Sequence, residues 1–152
     1  MPCAVTVDRL GILAMKTYTE LSQIDSFIDR YNYLRIPGQV GIETFGFDRY
    51  LNQALYKSSE WKVARRKVIM RDNGCDLGIQ DREITGIIII HHIEPITEDD
   101  ILNRNPAVFD IDNLICTSLN THNAIHYGDE SLLVHDPIIR LPYDTCPWRK
   151  HK

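Results

Sequence analysis

The stretch IIIIHHI, residues 87 to 93, leaves this chain few options. Isoleucine is β-branched, favours extended backbone, and belongs in a packed interior. The β-branched and apolar stretch extends from 84 to 93, broken once by Gly86, and Pro95 ends it. The spacing predicts a buried strand over 84–93 that delivers two titratable side chains, His91 and His92, at its end. Side chains on a strand alternate between faces, so adjacent histidines point different ways and hold different jobs.

Other elements must cover that strand. Leu21, Ile24, Phe27, Ile28, Tyr31 and Leu34 recur at helical spacing and predict one amphipathic helix over 21–34, before RIPGQVG breaks the pattern. A short helix is expected around 48–56. Residues 59–71, SEWKVARRKVIMR, form the clearest helix, with Trp61, Ala64 and Val68 as its buried stripe and Asn73-Gly74 as its stop. Thr97 and Asp100 are spaced as a capping box for a short helix that Asn105-Pro106 closes. NLICTS (113–118) reads as a second short strand. LNTHNAIHYG reads as a helix with Ser118 as N-cap and Gly128 as stop, and a further strand is expected near 132–135. The expectation is an α+β fold in a single domain of 152 residues, with a helical part over 16–72, a second part over 73–128 and a C-terminal extension over 129–152.

The net charge of −4 argues against a dedicated, strongly basic nucleic-acid binder, but the charge is polarised. Between Lys57 and Arg71 stand six bases against one acid, Glu60, whereas residues 94–112 hold six acids against one base, Arg104. No apolar run approaches the ~20 residues of a membrane span. The opening residues lack the basic start and long apolar middle of a signal peptide. Cys3, Cys75, Cys116 and Cys146 are scattered without paired spacing, so reduced thiols and a cytoplasmic setting are expected.

The chemistry lies in the histidines. His122 and His126 are four apart on the last helix and share one face, a spacing that lets two imidazoles chelate a metal. One strand-end histidine turned toward that helix would complete a three-imidazole site (His91, His122, His126) with positions left open. The other would be free of metal and, with an ordinary pKa near ~6.5, able to take a proton from water. Three imidazoles suit zinc, nickel or manganese better than magnesium. The expectation is one divalent cation of unassigned identity.

HHIEPI, DNLI and THNAIH together resemble the HNH motif of ββα-metal nucleases. The resemblance implies His91 as first metal ligand, His92 as general base, Asn113 as the middle asparagine that orients the site, and His122 as the final ligand nine residues later. His126 matches the additional helix histidine of colicin-type members. More widely, TFGFDRYLNQALYKSSEWKVARRKVIMRDNGCDLG, HHIEPIT and THNAIHYGD are similar to HNH endonucleases of tailed bacteriophages and prophages, over roughly residues 16 to 148. This implies a ββα-metal core over 73–128, hydrolysis of DNA phosphodiesters, and terminase as a partner. Lys62, Arg65, Arg66, Lys67 and Arg71 would then contact DNA phosphates. Many members add a zinc ribbon of two Cys-x-x-Cys pairs; here the positions are Cys75 and Gly78, then Ser118 and Thr121, so no structural zinc is expected. The competing reading is a metal-binding DNA-packaging accessory that does not cut.

Overall fold

The computed structural model describes residues 15–36 and 49–134, without the side chains of 49–52. The order is α1 (Tyr18–Leu21), α2 (Phe27–Leu34), α3 (Arg49–Lys57), α4 (Ser59–Asp72), β1 (Ile89–His92), α5 (Glu98–Leu102), β2 (Leu114–Thr117) and α6 (Leu119–Tyr127), with short 3₁₀ turns between. The architecture is mixed α+β. None of the described helices is long and apolar enough to cross a membrane. Cys3 and Cys146 lie outside the described residues; Cys75 and Cys116 are buried free thiols.

β1 and β2 form a two-stranded antiparallel sheet in which His91 faces Ile115 and His92 faces Leu114. The sheet is covered on both sides. On one, Ile115 and Ile93 pack with Ala124 and Ile125 of α6 and with Leu21, Tyr31 and Leu34 of the N-terminal helices. On the other, Ile90, Leu114 and Cys116 pack with Trp61, Ala64 and Val68 of α4. Each fully buried leucine or isoleucine here contributes about 1.5–3 kcal/mol.

Local chemistry explains most boundaries. Ser58 caps α4 through Trp61 N, and Asn73 ends it in the left-handed conformation (φ 54°), followed by Gly74 at φ 65°. The Thr97 and Asp100 side chains close the expected capping box on α5. Ser118 caps α6 and Gly128 stops it at φ 63°.

Three expectations differ. The helix expected over 21–34 is two helices, because Ser26 caps a fresh start at Phe27 and Arg30 Nε fixes the intervening turn through the Ile24 carbonyl (2.6 Å). The strand expected over 84–93 pairs only from Ile89, since β2 offers four residues before Ser118 turns into α6. Ile87 is left 79% exposed. Near 132–135 a 3₁₀ turn, Glu130–Leu132, replaces the strand, and His135 lies outside the described residues.

Candidate functional site

The pleat of β1 sends its two histidines apart. His91 is buried on the α6 side, where its ring centroid lies 5.6 Å from that of His122 and 5.2 Å from that of His126. His92 is on the α4 side, stacked on Trp61 at 5.5 Å and 25°. The alternation expected from sequence thus separates two chemically identical neighbours into two environments.

On the α6 side, one ring nitrogen from each of His91, His122 and His126 lies within 4.8 Å of the others. The Nε2 atoms of His122 and His126 are 3.1 Å apart. Ligand nitrogens held 2.0–2.1 Å from an ion are separated by about 3.0 Å in octahedral and about 3.4 Å in tetrahedral geometry, so the His122–His126 spacing matches a shared ion, and His91 completes a set that could hold one. Protonation favours it as well. Burial, followed by the neighbouring His126, His122 and His92 charges, holds His91 well below its ordinary value. Burial and then His126 lower His122 to about 4, and burial lowers His126. All three imidazoles are therefore neutral near pH 7, the form that ligates metal. Within the described residues this is the one cluster of its kind.

His92 is arranged for a different task. Its Nε2 lies 3.0 Å from the Val108 carbonyl oxygen. A carbonyl only accepts, so the hydrogen resides on Nε2 and the neutral ring presents its lone pair at Nδ1. Burial lowers its pKa against the opposing pull of the Val108 bond, which keeps the ring unprotonated at neutral pH.

Asn113 holds the loop that supplies Val108. Buried beside β2, it accepts the Glu94 N–H at Oδ1 (2.7 Å) and donates from Nδ2 to the carbonyls of Ala107 (3.1 Å) and Glu94 (3.3 Å). Its own carbonyl accepts Ile93 N at 2.9 Å. The amide thus clamps both ends of the loop after β1 and acts on His92 through Ala107 and its neighbour Val108.

The bases of α4 divide into two groups. Lys62, Arg66 and Lys67 are exposed. Arg65 is half-buried and donates to the Ile88 carbonyl (3.3 Å). Arg71 is engaged within the protein: it pairs with the buried Asp72 (2.8 Å), donates to the carbonyls of Ile111 and Leu114 (both 2.6 Å), and lies 3.3 Å from the centroid of the Tyr18 ring. α4 meets the site at its first turn, through Trp61.

Sequence reasoning placed Trp61 only in the core and did not single out Val108, whose contribution is a backbone carbonyl. Neither position carries a spacing signal that separates it from ordinary core. No protein-family model, no curated protein and no solved structure matches the chain.

Proposed function

We propose that this protein is a divalent-metal-dependent HNH endonuclease with a ββα-metal core, hydrolysing DNA phosphodiester bonds, phage- or prophage-encoded and working with terminase. The observation that carries the reading is the separation of the two histidines at the end of β1. His91 joins His122 and His126 in a neutral, metal-compatible set, while His92 stands apart with a free Nδ1.

In this reading His92 Nδ1 removes a proton from water as the water oxygen attacks phosphorus. The bond from phosphorus to the 3′ oxygen breaks, and that oxygen leaves with the electron pair to take up a proton. A general base is worth about 10²–10⁴ in rate. Bound at His91, His122 and His126, a divalent ion supplies positive charge against the negative charge that builds on the phosphate oxygens. Asn113 keeps Val108 in place and so keeps the His92 proton on Nε2. Lys62, Arg66 and Lys67, with Arg65 beside them, supply phosphate contacts that position DNA without reading its sequence. With four hydrogen bonds already made within the protein, Arg71 serves that face by holding α4 to β2.

The test is conversion of supercoiled plasmid by the wild type and by His92→Ala, with magnesium, manganese, nickel and zinc and a chelator control. Wild-type cutting that the chelator abolishes, lost in a variant that still binds metal, is the expected result. A folded, metal-loaded wild type that cuts with none of the ions, with or without terminase, would replace this reading with the non-cutting accessory.

A further inference from the structure

The 3₁₀ turn Asp76–Gly78 holds none of the candidate site residues, yet its first side chain grips the helix that does. The Asp76 carboxylate accepts three hydrogen bonds from the start of α6: from Ser118 N (3.0 Å), Ser118 Oγ (2.9 Å) and the buried Thr121 hydroxyl (2.5 Å). Ser118, His122 and His126 are four residues apart in turn, so they form one stripe along the helix and Asp76 holds its head. The turn is itself braced. Arg30 of α2, a buried base, donates from Nη1 to the Leu77 carbonyl at 2.7 Å. Gly78, at φ +64°, closes the turn so tightly that a Cβ there would lie 3.3 Å from Arg30 Nη1.

We propose that Asp76 is a positioning residue for the metal centre, setting the roll and height of α6 so that His122 and His126 meet His91; this rests on the reading of those three histidines as ligands. Apolar packing through Ala124 and Ile125 attracts α6 to the sheet but is non-directional. A roll of about 10° at a side-chain radius of about 6 Å moves an imidazole by about 1 Å, twice the ~0.5 Å tolerance of a working constellation. Because His91 stands on a different element, that movement opens the ligand set. The anionic carboxylate also complements the N-terminal end of the helix dipole. Ser118 and Thr121 occupy the positions where a zinc ribbon would place its second cysteine pair, so hydrogen bonds to one carboxylate provide the cross-link there.

The test is titration of the full chain with cobalt(II), read by visible absorption and calorimetry, for wild type, Asp76→Ala, Asp76→Asn and Thr121→Val. Circular dichroism sets the folded fraction, and His91→Ala is the ligand control. Folded Asp76→Ala should bind cobalt at least tenfold more weakly with an altered absorption band, and Asp76→Asn and Thr121→Val should show smaller changes of the same kind. Wild-type affinity and spectrum in a folded Asp76→Ala would overturn it, leaving Asp76 a contributor to stability alone. Should that variant not fold, unchanged binding in both Asp76→Asn and Thr121→Val overturns it equally. A wild type that binds cobalt no better than His91→Ala would instead overturn the metal reading, and this inference with it.

Discussion

Replacing Asn113 by aspartate changes one amide nitrogen to oxygen and leaves the shape of the side chain intact. Oδ1 keeps its bond from Glu94 N, but the second oxygen then faces the Ala107 and Glu94 carbonyls, to which Asn113 donates at 3.1 and 3.3 Å. Two donated bonds are lost, at about 1 kcal/mol each, and repulsion between like dipoles adds to the cost, for a total of about 3 kcal/mol. In a domain of this size that lowers Tm by roughly 6–12 °C. The sign with pH is opposite to that of an ordinary surface carboxylate. The site favours the protonated form, which can donate to one of the two carbonyls, so the folded pKa of the introduced carboxyl lies above its unfolded value. Its stabilising contribution is fully present below the unfolded value near ~4 and is lost as pH rises through the folded one. Thermal melts of metal-free Asn113→Asp and wild type from pH 4.5 to 8 should therefore diverge upward: a small deficit in acid, the full deficit at neutrality. A deficit that is constant with pH, or that shrinks as pH rises, would show that these bonds are not formed as described.

Two further outcomes follow from the same geometry. Arg71→Ala strips the pairing partner from the buried Asp72 and should cost about 3–5 kcal/mol, whereas Lys62→Ala and Lys67→Ala should leave Tm almost unchanged and lower plasmid affinity; melting curves beside a salt-dependent DNA-binding series separate the two classes. Metal-free protein should lose stability as pH falls from about 6.5, the ordinary histidine value, toward the value of about 4 at His122. The folded state holds His91, His92, His122 and His126 neutral while the unfolded chain protonates them, and a flat stability profile across that window would refute their burial.

What could be read from sequence was what local chemistry decides. The caps at Thr97 and Ser118, the stops at Asn73 and Gly128, and the four-residue spacing of His122 and His126 all depend on near neighbours in the chain. The strand was overestimated because its length is set by a partner more than 20 residues away: β2 ends where Ser118 begins to cap α6, and the isoleucines before 89 find no pairing residue on β2. The break after Leu21 was hidden because Ile24, Phe27 and Ile28 keep helical spacing across a turn that a distant contact, Arg30 with Leu77, helps to hold. Asp72 and Asp76 gave no signal for the same reason. Each is an unremarkable acid in sequence that also grips a partner more than 40 residues downstream.

The two histidines of β1 differ only by odd and even. Their assignment is a matter of parity, written in the pairing of His91 with Ile115. A hairpin slipped by one residue would turn His91 toward Trp61 and His92 toward α6, together with every other side chain of the strand. The two side chains would exchange surroundings together. A chain of this design is therefore wholly in frame or wholly out of it, and an ion bridging β1 to α6 would favour the correct frame each time the protein folds.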